Sequence, residues 1–522
     1  MVGRRTRKTD VELVEDDVPA ARARTAPHGP AVPAPVRAAA PAPALPCDAG
    51  TPAGADARTG ARPAALRRWW WVVAAGAVAA GAVAGQLVVD ARERAELTRL
   101  ATVPGVVAPL SPDVEVLWST TGDDVPYAVT WPWSQGIVGL RASAERGSEV
   151  VAIDPATGAT RWSVPLVPPQ DPGGSEVRAV GSLCVRADAT PGPRHRLPTR
   201  IACLASDVWQ VRRGDDWART TPTTSRVVVL ETADGTVVAD LPTDTVPGTF
   251  ADAVGVLGGV AVAAGPAPEG GTQAWGLDLT TGAELWRVPV SAGAGDPYPW
   301  WRAEVVVMDG VAAVVGQRDV VLVEADGTVR RTVPRGGADP ESGSGFDVHD
   351  GVLRLAGADT TTVVRPDGDL VLDGTAVWTT VDDGSVPGLL LMTDGALRAH
   401  DAATGARRWE APDLEATTAV VLRGRVHADT QEGLVTLDAA TGEELWRHRD
   451  VPPASFGAAV TDGRLLYVTR DGDGGGNPVL AALDPADGHE LWRTTLPAGV
   501  RGVQSVGGVA VGWDDRRLSV LG

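Results

Sequence analysis

The sequence predicts an all-β protein, a β-propeller of four-stranded blades that follows a single transmembrane helix. Two observations support this prediction. A phrase of fixed spacing, apolar–Asp–x–x–Thr/Asp–Gly–x–x–x–Trp, occurs five times, and an uncharged run of 21 residues precedes all five copies. A phrase that recurs at intervals of tens of residues is typical of a repeat architecture, because each copy builds one supersecondary unit. The aspartates of the five copies are Asp154, Asp278, Asp401, Asp438 and Asp484.

Each copy has the residues of a β-hairpin. The apolar residues before the Asp end one strand, and the Asp side chain can bond its own backbone to start a turn. The Gly four residues later, such as Gly442 after Asp438, accepts a positive φ that a Cβ would penalise. The Trp four residues after the Gly is too large for a solvated edge, so we expect it to pack between neighbouring sheets.

Weaker copies at Glu231, Glu324 and Arg365 fill the gaps between the strong ones. From Glu231 to Asp484 the successive copies are 36 to 47 residues apart, and two further apolar runs precede each copy. This is the period of propeller blades. Pairing of the first strand (114–118) with the last (518–521) would close the ring and leave no open edge, and with the eight hairpins it makes nine units by count. Eight blades are favoured, and nine are possible. The copy at Arg365 is the one we expect to fall short of a full blade.

The Asp-x-x-Thr-Gly-x-x-x-Trp phrase resembles the repeat of the pyrroloquinoline-quinone (PQQ)-type, quinoprotein-like β-propellers, and the resemblance covers roughly residues 113–522. That family includes alcohol and glucose dehydrogenases that bind the quinone. It also includes a non-enzymatic propeller lipoprotein of the outer-membrane β-barrel assembly machinery, the branch that this chain resembles most. The resemblance implies the fold and not an activity, because the repeated residues are structural in both branches.

The N-terminal region differs in composition. Residues 1–68 are rich in Ala, Pro and Arg without a helix or strand period, which predicts a disordered cytoplasmic arm. Residues 69–89 as a helix would span about 31 Å, which predicts a transmembrane helix. Arginines before this segment place the N-terminus in the cytoplasm. Residues 90–112 are then a stalk and linker, and residues 113–522 an extracytoplasmic propeller at the cell membrane. A cleaved signal peptide is the alternative interpretation.

The charge is unevenly distributed. The chain carries −19 overall, while residues 1–68 hold 11 basic and 7 acidic residues, which leaves −23 for the remainder. A domain this acidic argues against nucleic acid and anionic lipid as partners. It is compatible with a basic protein partner, and also with a role of the charge in solubility alone.

Two of the three cysteines, Cys184 and Cys203, flank a Pro-rich loop within the second repeat, and Cys47 lies in the arm. If the two flanking strands are adjacent, the side chains of the pair meet across the ladder. The sequence leaves two interpretations open, a disulfide or two small buried apolar side chains.

No catalytic, cofactor-binding or metal-binding residue is assigned, and no cofactor is expected. The dehydrogenases of the resembled family carry a catalytic Asp, a Ca²⁺ site with Asn and Glu ligands, and often adjacent cysteines. Here no two cysteines are adjacent, and the only asparagine, Asn477, lies in the Gly-rich loop 471–477. This loop resembles the start of an EF-hand, but Ala482 occupies the twelfth position, so a flexible connection is preferred.

The insertion at about 188–225 is the most unusual segment of the repeats. It contains Trp209, Arg212, Arg213 and Trp217, and a second aromatic cluster lies at 298–301. Residues of these types dominate binding hot spots, although packing onto the ring is the favoured role for the tryptophans of both segments. We therefore predict a membrane-anchored extracytoplasmic scaffold, non-catalytic, that binds a protein or an envelope ligand. The alternative is a PQQ-dependent quinoprotein oxidoreductase.

Overall fold

The computed structural model describes residues 65–121, 127–133, 136–143, 147–170, 177–179, 181–188, 198–213, 216–243, 249–291, 302–335, 346–349, 352–448, 459–472, 476–514 and 517–522. The chain divides into two compact units, residues 1–77 and 78–522. In the first unit the described residues form the beginning of helix α1 (Ala65–Leu100). The second unit holds the rest of α1 and all the strands. Most of the predicted disordered arm, residues 1–64, lies outside the described residues.

The prediction of a transmembrane helix at 69–89 is wrong. Within the described residues, no helix is long and apolar enough to cross a membrane. Ten of the 21 residues in this segment are Ala or Gly, so the prediction depended on the absence of charge more than on large apolar side chains. The membrane location and the sidedness inferred from this helix are corrected with it.

The strands of residues 116–291 build the first three blades, an additional sheet and, with the first of them, one strand of the last blade. In chain order they are β1 (Val116–Thr121), β2 (Tyr127–Trp133), β3 (Gly136–Ser143), β4 (Gly147–Ile153), β5 (Thr160–Val167), β6 (Val177–Ala179), β7 (Leu183–Arg186), β8 (Arg200–Ser206), β9 (Trp209–Arg213), β10 (Asp216–Arg219), β11 (Ser225–Glu231), β12 (Val237–Pro242), β13 (Ala253–Leu257), β14 (Val260–Pro266), β15 (Thr272–Asp278) and β16 (Glu284–Ser291).

Blade 1 is β2–β5, blade 2 is β7, β8, β11 and β12, and blade 3 is β13–β16. Each is an antiparallel meander in which the first strand is innermost and the fourth lies at the rim. The remaining strands β6, β9 and β10 pair with one another as a separate three-stranded sheet.

The strands of residues 304–521 build the other six blades. They are β17 (Glu304–Met308), β18 (Val311–Val315), β19 (Asp319–Val323), β20 (Val329–Pro334), β21 (Phe346–His349), β22 (Val352–Ala356), β23 (Thr360–Val364), β24 (Leu370–Asp373), β25 (Thr375–Ala376), β26 (Trp378–Asp382), β27 (Leu389–Thr393), β28 (Ala396–Asp401), β29 (Arg407–Pro412), β30 (Ala416–Leu422), β31 (Arg425–Thr430), β32 (Gly433–Asp438), β33 (Glu444–His448), β34 (Val460–Thr461), β35 (Leu466–Arg470), β36 (Val479–Leu483), β37 (Glu490–Thr495), β38 (Gly502–Val506), β39 (Val509–Trp513) and β40 (Arg517–Leu521).

Blades 4 and 5 are β17–β20 and β21–β24, and blade 6 is β25 with β27–β29. Blade 7 is β30–β33, extended by β26, and blade 8 is β34–β37. Blade 9 is β38–β40 completed by β1, whose Trp118 pairs with Val520, so the first and last strands close the ring as predicted.

The described residues therefore form nine blades, and the expectation of eight was wrong. The copy at Arg365, which we expected to be incomplete, lies in the complete four-stranded blade 5. Its turn is shorter and it lacks the Trp, but neither feature prevents the meander from pairing.

The tryptophans join consecutive blades, as predicted. Trp409 of blade 6 donates its indole N–H to the Ala439 carbonyl in blade 7 at 2.8 Å, and a Cβ on Gly442 would lie 2.7 Å from the Trp409 ring. Trp118, Trp286 and Trp446 make the same bond to the next turn, at 2.8, 2.9 and 3.2 Å. Each Trp thus covers the glycine of the following blade, where no side chain fits.

A β-bulge directs these tryptophans. In blade 6, Ala399 pairs with Trp409 and His400 with Arg407, which leaves Arg408 as the extra residue of the rim strand. The register shifts at the same place in every described blade except blade 5. A bulge turns the following side chain out of the regular alternation. The hairpin therefore both reverses the chain and directs the Trp toward the next sheet.

The repeated aspartates bond within their own turns. The Oδ1 atom of Asp154 accepts hydrogen bonds from the N–H groups of Ala156 and Thr157, both at 3.0 Å. Asp278, Asp401 and Asp438 make equivalent bonds. The Thr157 amide hydrogen bond lowers the pKa of Asp154. For Asp401, a hydrogen bond from Arg408 is the largest of several effects that lower the pKa to about 2. These carboxylates stay charged and are occupied as turn residues.

Candidate binding surface

The meander gives the propeller two different faces. The turns between first and second strands, and between third and fourth strands, lie on one face, which we call the turn face. The links between second and third strands and between blades lie on the opposite face, the connection face. The three-stranded sheet of β6, β9 and β10, here the added sheet, is built from connection-face segments of blades 1 and 2.

The added sheet combines two separate insertions. Strand β6 lies in the link from blade 1 to blade 2, and β9 and β10 lie between β8 and β11 of blade 2. Val177–Ala179 pairs with Trp209–Val211, and Gln210–Arg213 pairs with Asp216–Arg219. The predicted insertion at 188–225 is thus partly a sheet of its own, with β10 as a free edge strand.

Trp209, a predicted hot-spot candidate, anchors this sheet to the ring. The Trp209 side chain is buried, its indole N–H donates to Gln170 Oε1 at 2.9 Å, and its backbone N–H donates to Thr220 Oγ1 at 2.9 Å. Because the ring and both polar groups are engaged within the protein, Trp209 has a packing role and is not part of an exposed surface.

Asp207 holds the base of the same insertion. Its Oδ1 atom accepts the N–H groups of Thr223 at 2.8 Å and of Thr224 at 3.0 Å, and Oδ2 accepts from the Gln170 amide at 3.3 Å. Burial is the largest effect and by itself raises the pKa of Asp207. The Thr223 hydroxyl, the two backbone N–H groups and Gln170 together lower the pKa below its usual value. A charged carboxylate therefore closes the loop that carries β9 and β10.

Replacing Asp207 with Asn is expected to loosen this loop. Both oxygens of the carboxylate accept hydrogen bonds, whereas an amide has only one accepting oxygen and an NH2 group in place of the other. We expect residues 207–224 to lose about 1–3 kcal/mol of local protection. Hydrogen exchange of that segment measures the effect. As a control, Asp188→Asn removes a carboxylate that bonds Thr199 and Arg200 elsewhere in blade 2. Equal exchange in both variants would show that Asp207 does not hold the loop.

The exposed part of the added sheet brings together two other predicted residues. Arg212 of β9 and Trp217 of β10 are directly opposite one another in the ladder, and both side chains are partly exposed. Arg219 of β10 forms an ion pair with Asp252 at 2.7 Å, which ties the edge strand to the start of blade 3. Asp215 lies outside the described residues, and only the backbone of Arg213 and Asp216 is described.

The other candidate segments contribute less. The aromatic cluster at 298–301 lies outside the described residues. In the loop 471–477, residues 473–475 also lie outside them, and the carbonyl of Asn477 approaches Gly472 so closely that a Cβ would lie 2.1 Å from it. In the described part of the chain, no group of three or more His, Cys, Asp or Glu side chains is placed to hold a metal.

Cys184 and Cys203 form a disulfide within blade 2. They are direct partners in the β7–β8 ladder, and the bond lies among the buried residues between blades 1 and 2. Of the two interpretations left open by the sequence, the structure contains the first. The bond closes the loop between the two innermost strands of the blade.

Sequence reasoning missed a segment that we call the strap, residues 99–115, which crosses the turn face of blades 7–9. The Arg99 guanidinium donates to the Asp383 carbonyl at 2.9 Å and lies 3.6 Å from its carboxylate. Leu100 is fully buried against Gly463, and Val106 bridges to Thr461 of the innermost strand of blade 8. The Leu110 N–H donates to the Tyr467 hydroxyl at 3.1 Å.

A second unpredicted feature lies beside the strap. Strand β26 leaves blade 6 and pairs in parallel with β30 of blade 7. Four residues of Trp378–Asp382 pair with Thr418–Val421, so β26 is added to the inner edge of blade 7. Gly105 of the strap approaches this strand, since a Cβ there would lie 2.3 Å from the Thr380 carbonyl. The strap therefore fills the space between β26 and blade 8, and it covers this sector of the turn face.

The interface of blades 7 and 8 contains two buried titratable groups. Burial, the largest effect, together with the charge of Arg425 lowers the pKa of His427 to about 3, although Asp383 acts in the opposite direction. His427 Nδ1 bonds the Thr436 hydroxyl at 2.7 Å, and the ring lies 5.9 Å from that of Trp446. Burial raises the pKa of Asp429 to about 6. Both groups are structural in this setting.

His427 makes the stability depend on pH. In the unfolded chain it binds a proton below about pH 6.5, whereas in the folded state it does so only below about pH 3, so acid favours unfolding within that window. The raised pKa of Asp429 acts with the opposite sign between about pH 4 and 6. We therefore compare wild type with His427→Leu, so that the Asp429 contribution cancels.

The unfolding free energy of wild type minus that of His427→Leu is expected to fall by up to about 1.4 kcal/mol per pH unit between pH 6 and 4. Urea titrations across this range measure the difference. The same substitution at an exposed position, His489→Leu, serves as the matched control for loss of the imidazole itself. A pH-independent difference for His427→Leu would contradict its burial in the neutral form.

Comparison with known proteins finds sequences that resemble parts of these repeats. Residues 430–521, which cover most of blades 7–9, match the family model of the outer membrane protein assembly factor BamB. A segment of 138 residues is 32% identical to the serine/threonine-protein kinase AfsK of Streptomyces coelicolor, covering 26% of this chain and 16% of the kinase. The chain thus matches only about a sixth of the length of that curated relative.

Two solved structures show broad but distant similarity. BamB of Moraxella catarrhalis is 16% identical, with a TM-score of 0.37, over 78% of this chain and 99% of that one. Quinohemoprotein alcohol dehydrogenase of Comamonas testosteroni is 13% identical, with a TM-score of 0.37, over 78% of this chain and 76% of that one.

Proposed function

Because the chain is a PQQ-like β-propeller repeat protein, we propose that it is a non-catalytic scaffold that binds another protein. One observation carries this proposal: the residues that repeat from blade to blade are engaged in building the ring. The aspartates accept bonds from their own turns, and the tryptophans donate to the next blade. The parts of the chain that depart from the repeat are then the natural sites of a specific function.

The added sheet is the surface that we propose for the partner. It is anchored from below by Trp209 and Asp207, and it presents Arg212 beside Trp217 on the connection face. Arg and Trp are enriched among residues that dominate protein–protein binding energy, and a rigid support limits the entropy lost on association. The name of the matched family, an assembly factor, also supports a role in binding proteins.

The proposal is tested by cross-linking the full chain to its neighbours in cells that express it, followed by mass spectrometry. We expect a reproducible protein partner whose cross-links fall on residues 209–219, and a loss of at least tenfold in its recovery with Arg212→Glu or Trp217→Ala. The matched control is Arg464→Glu, an exposed arginine on the turn face.

Equal loss with the control, or no dependence on the added sheet, would refute this surface. The non-catalytic part of the proposal is tested separately. Purified protein is incubated with PQQ and Ca²⁺, and quinone absorbance and dye-linked alcohol oxidation are followed. Quinone-dependent oxidation would show that the chain is an oxidoreductase instead.

A further inference from the structure

The rim strands of the blades differ at one position in a way that affects their free edges. We call this the rim position, three residues after the Trp site of each rim strand. Five rim strands carry proline there. The five are Pro165, Pro242, Pro289, Pro334 and Pro412, in blades 1, 2, 3, 4 and 6.

The backbone N–H at the rim position faces away from the ring. In blades 2 and 4 the next residue donates inward, from Thr243 N to the Ser225 carbonyl and from Arg335 N to the Arg318 carbonyl, both at 2.9 Å. Since N–H groups alternate in direction along an antiparallel strand, the preceding proline replaces an outward donor. Proline at such a position prevents another strand from pairing with the edge.

Blade 8 lacks this protection. Its rim strand β37 has Thr495 at the rim position, and the following Leu496 N–H donates inward to the Pro478 carbonyl at 2.8 Å, so the Thr495 N–H faces outward. Blade 5 has the charged Asp373 there, and blade 9 has Thr121. The corresponding residue of blade 7, Arg449, lies outside the described residues.

The same region of the rim exposes leucines. The extra residue of the bulge is Leu491 in blade 8 and Leu117 in blade 9, with 51% and 50% of their surface exposed. In blades 1, 4 and 6 the equivalent residue is an arginine (Arg161, Arg330 and Arg408). The open edge and the apolar side chains thus occur together on two neighbouring blades.

The charges around β37 are balanced. Glu490 lies 3.2 Å from Arg470 and 2.5 Å from Arg493, and Arg447 of the adjacent blade lies 2.8 Å from Glu444. The chain as a whole carries −19, so two copies repel one another over most approaches. At β37 they would meet an edge on which Glu490 and Arg493 are paired with one another, with the exposed Leu491 and an outward-facing backbone donor at Thr495.

We propose that β37 is a self-association surface, at which β37 of one protomer pairs antiparallel with β37 of its partner. Such a pairing is two-fold symmetric, so each open edge satisfies the other and the two Leu491 side chains are removed from water. The occupant is a second copy of this chain, because the edge is complementary to itself in hydrogen bonding, apolar surface and charge.

Sedimentation equilibrium of the full chain over a range of concentrations tests this proposal. We expect the wild-type weight-average mass to double as the concentration rises. The double variant Leu491→Arg/Thr495→Pro, which gives β37 the residues that blade 6 carries, should remain monomeric. The matched control is Leu285→Arg, which removes an equally exposed leucine (52%) from blade 3, where Pro289 already closes the edge.

A monomeric wild type, or a double variant that dimerises as wild type does, would overturn the proposal. Hydrogen exchange of wild-type protein gives a reading that does not depend on the variant's folding. The Thr495 amide should exchange more slowly at high than at low protein concentration, while segment 284–291 of blade 3 should not change. Concentration-independent exchange at Thr495 would equally reject the pairing.

Discussion

Replacing Trp409 with Ala is expected to lower the free energy of unfolding by about 3–5 kcal/mol, the largest effect we predict for a single side chain. Trp409 is 7% exposed, belongs to the core shared by blades 6 and 7, and donates its N–H to the Ala439 carbonyl at 2.8 Å. Truncation leaves a cavity between two blades and an unsatisfied carbonyl. Chemical denaturation of the purified variant measures the loss.

Trp378→Ala is the control for this prediction. The Trp378 side chain on β26 is 48% exposed, so its truncation removes less buried area and should cost only about 1 kcal/mol. Equal losses in the two variants would show that position in the repeat does not matter. An unchanged unfolding midpoint for Trp409→Ala would remove Trp409 from the interface of the blades.

Removing the Cys184–Cys203 disulfide is expected to lower the free energy of unfolding by about 3 kcal/mol. The two residues are 19 apart in sequence, and a cross-link of that span restricts the unfolded chain by roughly this amount. We expect the double variant Cys184→Ala/Cys203→Ala and reduced wild-type protein to unfold at the same, lower denaturant concentration.

Reduction of the double variant itself is the control, and it should have no effect. Wild-type protein that unfolds identically with and without reductant would contradict a stabilising disulfide. A loss in the variant without a loss on reduction would instead assign the effect to the truncated side chains.

The parts of the fold that are determined by residues close together in the sequence could be predicted. The Asp and Gly of each phrase determine a local turn, and the size and regular spacing of the Trp determine that it is buried between sheets. Ring closure was predictable as well, since the first and last strands each lacked a partner. The blade number was not, because weak copies keep the contact between blades with other side chains.

Arg331 of blade 4 illustrates this substitution. It occupies the Trp position, and its guanidinium reaches the Arg365 carbonyl and Asp369 of blade 5, in place of an indole on the next turn. A search of the sequence for Trp at the repeat position cannot detect a contact that an Arg makes in its place. The Glu324 copy, whose rim strand carries Arg331, therefore keeps its contact with blade 5 although it lacks the Trp.

Features that depend on distant segments were not predictable. The added sheet pairs β6 with β9 across 30 residues, and the strap joins Arg99 to Asp383 and Val106 to Thr461. No local pattern marks residues 99–115 as buried, because their apolar residues follow no regular period. The residues of the candidate surface were recognised by type, but only the fold separates buried Trp209 from its partly exposed neighbour Trp217.

The central claim is that Trp118, Trp162, Trp286, Trp409 and Trp446 each pack on the turn glycine of the next blade, and a double-mutant cycle on Trp409 and Gly442 tests it most directly. Gly442→Ala places a Cβ 2.7 Å from the Trp409 ring at φ +74°, whereas Gly310→Ala has the same φ with nothing within 4 Å. In wild type, Gly442→Ala should cost about 2–4 kcal/mol and Gly310→Ala about 1–2. In the Trp409→Ala background, the cost of Gly442→Ala should fall to that of Gly310→Ala, and strictly additive losses would contradict the contact.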